Sequence, residues 1–287
     1  MENFTFIGDV HGAAADLRVL LTDPVVAASR LIFLGDYIDG RTIRRFSDHV
    51  EPVVRDPLGV LRIIQDRVTH HGDVALLGNH DDFWVQTARR DELTYKTWKI
   101  NHGVQTWRQL GIRSTRLARV SAALTHGPLR PFTDFLTHLP LTWETDQLFA
   151  AHAGIDWDRP ANDQRRDDLL WIRDDYYFRD AAHHDLGWHP NTLGKVMVTG
   201  HTPVQTLQGP GQAGYLKMQA TANDVPRYLI DAGSHTDAYD GGILALTLTA
   251  GGQLVQTVRA VKQHLTPGEQ PLSEAAVSQL GALTEQP

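Results

Sequence analysis

Five short apolar runs in this 287-residue chain stop at the same kind of punctuation. Ile7 is followed by Gly8-Asp9-Val10-His11-Gly12, Leu34 by Gly35-Asp36-Tyr37-Ile38-Asp39, and Leu77 by Gly78-Asn79-His80-Asp81. Ala151 is followed by His152-Ala153-Gly154, and Val198 by Thr199-Gly200-His201-Thr202-Pro203. The side chains offered are Asp9, His11, Asp36, Asn79, His152 and His201. These oxygen and imidazole donors suit divalent Mn, Fe or Zn rather than soft copper(I). Six donors exceed what one tetrahedral ion takes. They match two ions about 3.5–4 Å apart, bridged by one carboxylate and a water. Taken singly, a Gly-Asp is an ordinary turn and a histidine ordinary packing. The recurrence, in order and with metal-compatible donors each time, carries the reading.

Elements must bring these groups to one place. The runs Phe4–Ile7, Leu31–Leu34, Val74–Leu77, Leu148–Ala151, Val196–Val198 and Tyr228–Ile230 are short and bounded by turn residues, which predicts buried strands. Helical patterns lie between them, over Ala13–Leu21 and Pro57–Val68. In the second, Asp56 is placed to cap, Pro57 fits the first helical position, and Leu58, Leu61, Ile64 and Val68 share a face. Strands alternating with helices imply an α/β fold, and ligand sites in such sheets gather at the carboxyl ends of strands. Ile243–Thr249 and Leu254–Val261 flank Ala250-Gly251-Gly252-Gln253 and predict a β-hairpin. Residues 1–263 are expected to form one catalytic domain, and residues 264–287 a peripheral C-terminal tail with a weak helix at Ser273–Leu280.

Bulk composition narrows the rest. With 34 acidic and 27 basic side chains the net charge is −7, which gives no general attraction for nucleic-acid polymers or anionic membranes. There is no cysteine, so disulfides and thiolate metal sites are excluded. The first residues lack a signal-peptide pattern, and no apolar run approaches the ~20 residues of a membrane helix. A cytoplasmic enzyme is the expectation.

The ordered set Gly-Asp-Val-His-Gly, Gly-Asp-Tyr-Ile-Asp, Gly-Asn-His-Asp, His-Ala-Gly and Gly-His-Thr-Pro resembles the calcineurin-like metallophosphoesterase superfamily. Within it the chain is similar to the bacterial Ser/Thr phosphoprotein phosphatases and the symmetric diadenosine tetraphosphatases. The likeness runs from about Phe4 to Leu248 and includes Leu136-Thr137-His138-Leu139-Pro140-Leu141 and Leu169-Leu170-Trp171-Ile172-Arg173. It implies a sandwich of two mixed β-sheets flanked by helices. It also implies two divalent metal ions, manganese first, with Fe, Zn or Ni as alternatives. Asp9 and His11 would hold the first ion, Asp36 would bridge, and Asn79, His152 and His201 would complete the second. His80, oriented by Asp39, would serve the leaving group as general acid or hydrogen-bond donor, and Arg173 would hold the phosphate. Hydroxide from a bridging water would attack phosphorus in line. The implied activity is hydrolysis of a phosphate monoester, on a phosphoprotein or a small phosphorylated molecule. The alternative is a diadenosine polyphosphate or nucleotide hydrolase. A catalytically altered binding protein is the reading from another class, and retention of every ligand position counts against it.

The chain also departs from the family pattern. Where the protein phosphatases usually carry Gly-Asp-X-X-Asp-Arg-Gly, with the Arg on phosphate, position 40 is Gly. Either Arg41 swings in from the next position, with Asn79 also near the substrate, or Arg173 works alone. Residues 42–55 form an extra segment where the family goes almost straight into a helix. There Arg44, Arg45 and Phe46 would offer cations and a stacking face at the substrate mouth, if the segment is not a surface insertion. Asp81 stands where many protein phosphatases have Glu, as diadenosine tetraphosphatases commonly do. Asn101 and Gly103 are expected to border the site, and Tyr176, Tyr177 and Phe178 to shape its rim. Asp231-Ala232-Gly233-Ser234 repeats the strand-end pattern, and the resemblance implies that it is structural or supports the ligands from behind.

Overall fold

The computed structural model describes residues 2–281. Thirteen strands run in chain order as β1 (Asn3–Ile7), β2 (Arg30–Phe33), β3 (Ile43–Arg45), β4 (Val50–Pro52), β5 (Val74–Ala75), β6 (Thr142–Glu144), β7 (Leu148–Ala151), β8 (Val196–Thr199), β9 (Leu216–Met218), β10 (Arg227–Leu229), β11 (Ile243–Thr249), β12 (Leu254–Val261) and β13 (His264–Pro267). They form a six-stranded sheet of order β13-β12-β11-β1-β2-β5, a five-stranded sheet of order β6-β7-β8-β10-β9, and a separate β3–β4 hairpin. Both large sheets are mixed. β1, β2 and β5 are mutually parallel, as are β7, β8 and β10, while β11 and β9 pair antiparallel.

The apolar runs carry no polar alternation because both faces of each strand are buried. Phe4, Phe6, Ile32 and Leu34 meet Leu148, Ala150, Val198 and Tyr228 in the core between the sheets. The alternate residues Ile7, Leu31 and Phe33 face a helical layer that includes Phe83, Trp84, Trp98 and Leu124. On the other sheet, Phe149, Ala151, Met197 and Leu229 pack outward against Leu169, Tyr176 and Tyr177. The result is the expected two-sheet sandwich. Tyr176 and Tyr177 are fully buried, so they belong to this outer core and not to a pocket rim.

The helix at Pro57–His71 begins as its sequence dictates, with the Asp56 carboxylate accepting from the Gly59 N–H at 2.8 Å. The predicted hairpin forms as β11–β12. Beyond it the chain keeps packing: β13 pairs with β12, and the helix Glu274–Gln279, capped by Ser273, buries Val277 beside Phe46 and Val261. The end of the expected tail, residues 282–287, lies outside the described residues. Among the described residues no helix is long and apolar enough to cross a membrane.

Candidate metal centre and phosphate cleft

The six parallel strands aim their carboxyl ends at one edge of the sandwich. Asp9, Asp36 and Asn79 follow β1, β2 and β5 of one sheet, and His152 and His201 follow β7 and β8 of the other. All five, with His11, are buried. Glycines make the convergence sterically possible. A Cβ on Gly78 would lie 2.2 Å from the Asp36 nitrogen and Oδ1, and one on Gly200 would lie 2.1 Å from Asp9 Oδ1. His11, Asp36, Asp39 and His201 themselves have positive φ, of 49°, 56°, 65° and 72°. Such conformations cost about 1–3 kcal/mol each for a residue with a side chain, and they gather here.

Two donor groups share one carboxylate: Asp9, His11 and Asp36 form the first, and Asp36, His152 and His201 the second. Asp36 divides between them. Its Oδ2 lies 3.5 Å from His11 Nε2, and its Oδ1 lies 3.5 Å from His152 Nε2. Asn79 Oδ1 joins the second group, 2.9 Å from His152 Nε2 and 2.8 Å from His201 Nδ1.

Protonation makes these groups fit cations. His11 Nδ1 donates to the Ile38 carbonyl and His152 Nδ1 to the Leu34 carbonyl, both at 2.9 Å, which fixes the tautomers and leaves each Nε2 a lone pair. Burial keeps both rings neutral, lowering His11 well below the ordinary value and His152 to about 4. Burial likewise lowers His201. The His152 lone pair then faces the oxygens of Asn79 and Asp36, acceptors against an acceptor, and a cation among them removes that conflict. Asp36 pays for the crowding: burial, with Asp9 and Asp39 nearby, raises its carboxyl to about 7.

The remaining groups surround this centre. His80 Nδ1 and Asp39 Oδ2 are 2.6 Å apart. Asp39 also accepts from the Trp98 indole N–H at 2.9 Å and from the Thr106 hydroxyl, so its orientation is fixed from three sides. Burial alone would depress His80, but the Asp36 charge and the Asp39 hydrogen bond outweigh it and raise the imidazole to about 9. Arg173 Nη1 donates to Thr202 Oγ1 at 2.6 Å and to the His201 carbonyl at 3.3 Å. A cleft of ≈ 130 Å³ opens over these groups, its lining including Asp36, Asn79, His80, Arg173, His201 and His235.

The cleft also sorts the other expectations. Asn101 lines it, and so does Asp231, which is buried with its carboxyl raised by burial and by Asp9. Arg41 is exposed and stands outside the lining. The segment 42–55 contributes no side chain to the lining of this cleft. Arg44 is buried on the Tyr239 and Gly241 carbonyls, Phe46 is buried under the C-terminal helix, and Arg45 pairs with Asp237. The structural role of Asp81, and His235 altogether, were not evident from the motifs. Asp81, fully buried, accepts from the N–H groups of Asp36, Tyr37 and Gly78 at 2.7–3.1 Å, and so shapes the turn that carries Asp36. Its signal was its place at the third position of the Asn79–Ala88 helix, where an acid completes a capping box. His235 had no such signal.

The model of the calcineurin-like phosphoesterase family matches residues 2–231. The chain belongs to that family. It is therefore a metal-dependent phosphoric ester hydrolase of the phosphatase type, whose family works with a dinuclear metal site. No curated protein matches its sequence. Among solved structures, a candidate diadenosine tetraphosphatase aligns with TM-score 0.55 at 18% identity, covering 91% of this chain and 94% of its own. A metallophosphoesterase from Sphaerobacter thermophilus aligns with TM-score 0.46 at 17% identity, covering 98% of each chain. A protein serine/threonine phosphatase from Saccharomyces cerevisiae, described as similar to human PP5, aligns with TM-score 0.47 at 16% identity, covering 94% of this chain and 82% of its own.

Proposed function

We propose that the cleft hydrolyses phosphate monoesters, on a phosphoprotein or a small phosphorylated molecule. In this reading Asp9, His11 and Asp36 hold one divalent ion, and Asp36, Asn79, His152 and His201 the other, with manganese the first choice. The division of the Asp36 oxygens between the two donor groups supports the bridging role. When bound, such a pair supplies Lewis-acid polarisation of a phosphoryl oxygen and a lowered pKa for water.

The chain's own residues do the rest. Arg173 keeps Nη1 on Thr202 and His201, which leaves Nε and Nη2 for two phosphate oxygens, the fork a guanidinium offers. His80 uses Nδ1 for Asp39, so Nε2 is the atom that gives a proton or hydrogen bond to the departing alkoxide. Water adds to phosphorus as the P–O ester bond breaks. The products are an alcohol and inorganic phosphate.

The observation that favours a monoester is the charge around the mouth. Arg173 is the one guanidinium among the described residues lining the cleft, and the groove adjoining it through Trp171 and Arg173 carries seven aspartates, Asp167, Asp168, Asp174 and Asp175 among them, against three arginines, Arg165, Arg173 and Arg179. Further phosphates of a dinucleoside polyphosphate would meet these carboxylates. The second reading, a dinucleotide hydrolase, draws on Trp171, which is 40% exposed at the mouth and offers a face on which a base can stack. A panel of phosphopeptides, p-nitrophenyl phosphate, cyclic nucleotides and diadenosine tetraphosphate on metal-loaded protein separates the two. Faster turnover of the dinucleotide than of every monoester overturns the first reading.

A further inference from the structure

The cleft has two walls, and the proposed ligands account for only one. On the other stands His235, its ring centroid 4.8 Å from that of His11, 5.3 Å from that of His80 and 5.1 Å from that of His102. The ring is a half-buried part of the cleft lining and has no hydrogen-bond partner among the described residues. Asn101, beside it in the lining, donates one of its two amide N–H groups to the Thr97 carbonyl at 2.8 Å. A neutral imidazole carries one N–H, so His235 brings a free donor to this wall, next to the second amide N–H of Asn101.

The backbone that carries His235 is held by the extra segment. Arg41 N–H donates to the His235 carbonyl at 3.1 Å, and Arg45 N–H to the Asp237 carbonyl at 2.7 Å. The Arg44 guanidinium donates to the carbonyls of Tyr239 and Gly241 at 2.8 and 2.9 Å. Arg55 closes the clamp. It donates to the Ser234 carbonyl and hydroxyl at 2.5 and 3.3 Å, and from Nε to the Arg41 carbonyl at 2.9 Å. The Ser234 hydroxyl in turn donates to the Val10 carbonyl at 2.9 Å, between Asp9 and His11. Arg44 and Arg55 thus place their guanidiniums on this one loop, which carries the His235 ring.

We propose that His235 donates a hydrogen bond to a non-bridging phosphate oxygen of the substrate, opposite Arg173, and that the β3–β4 hairpin with Arg44 and Arg55 positions it. This rests on the phosphoesterase reading and adds to it a specificity residue and a purpose for the segment 42–55. A phosphate oxygen bound between Arg173 and His235 is gripped from both walls, which orients the ester without a second guanidinium.

The test uses metal-loaded full-length protein with p-nitrophenyl phosphate turnover, calorimetric binding of inorganic phosphate, and metal analysis. For His235→Ala we expect kcat/KM and phosphate affinity to fall together by roughly 10- to 100-fold, the worth of one hydrogen bond to a charged group, with metal content unchanged. His235→Gln, which keeps an N–H donor, regains part of that loss. Arg55→Ala, or Arg55→Lys if the alanine variant does not fold, has a smaller effect of the same sign in wild-type background and none in His235→Ala. Unchanged phosphate affinity in His235→Ala overturns the contact. So does loss of metal, since the ring would then act only by packing on His11. Equal losses from Arg55→Ala in both backgrounds overturn the clamp. Wild-type protein that binds phosphate through His235 yet turns over no ester sinks the hydrolase reading and leaves this one standing.

Discussion

The two walls of the cleft are built by different means. Each metal-side residue lies within four residues of a strand end, and the strands are short parallel segments, so local chain geometry delivers Asp9, Asp36, His152 and His201 to one edge. The facing wall hangs on contacts between residues nearly two hundred positions apart, such as Arg44 with Tyr239 and Gly241. The first wall is rigid because sheet ladders and a sandwich core define it. The second is an irregular loop held by carbonyls accepting from arginines. One wall is suited to fixed charge geometry, and the other is a surface loop of the kind that commonly carries binding residues.

The sharpest way to break this comparison is at the shared carboxylate. Asp36→Asn removes one negative charge from both donor groups and should abolish tight metal binding and lower turnover by at least roughly 100-fold, since even outer partners of metal ligands cost 10- to 100-fold. Metal analysis decides it: full occupancy by two ions in the variant ends the bridging role. His80→Ala comes next. It should retain both metals yet lose about 10²- to 10⁴-fold in kcat, the usual worth of a positioned acid. Asp39→Asn should follow the same direction less steeply, because Trp98 and Thr106 still hold the side chain in place. A His80→Ala variant that loses metal would move His80 from the chemistry to the frame.

A third prediction concerns pH. Without metal the Asp36 carboxyl is raised to about 7, so the folded protein binds a proton there that the unfolded chain has lost by about pH 4. The native state thus holds more protons between those values, and metal-free stability falls as pH rises through this window. Cation binding requires the ionised form, while His11, His152 and His201 are already neutral and do not compete. The rise in Tm on adding Mn²⁺ should therefore grow from about pH 5.5 to about pH 8 and then level. A flat difference across that range would mean that the Asp36 proton is not what the metal displaces.

The same contrast governs what could be read without coordinates. The convergence of Asp9, Asp36, Asn79, His152 and His201 was legible because Gly-Asp, Gly-Asn and Gly-His at strand ends are local signals, and because apolar runs such as Leu148–Ala151 and Val196–Val198 read as strands. The sandwich came with the family resemblance more than with periodicity, since strands buried on both faces show no alternation. The hairpin side was not legible. Arg44 and Phe46 looked like ligand groups because charge and aromaticity do not report burial, and the partners that bury them lie far along the chain, at Tyr239, Gly241, Leu272 and Val277. His235 carried no motif. Its loop, Asp231-Ala232-Gly233-Ser234, read only as one more strand end.

The smallest effect is expected at Arg41, and it tests the comparison from the other direction. With Gly at position 40, the neighbouring arginine is the obvious substitute phosphate contact. Its backbone is pinned by the His235 carbonyl through N–H and by Arg55 Nε through C=O, so the residue is fixed as part of the clamp. Its side chain, however, is exposed and outside the cleft lining. Exposed charges in high dielectric contribute little beyond long-range steering. Arg41→Ala keeps both backbone contacts, so kcat, KM and phosphate affinity should stay within about twofold of wild type at ordinary ionic strength, where a screened charge is worth ~0.5 kcal/mol or less. A tenfold rise in KM would place the guanidinium on the substrate, restoring arginine as the grip of the second wall and leaving His235 to explain by packing alone.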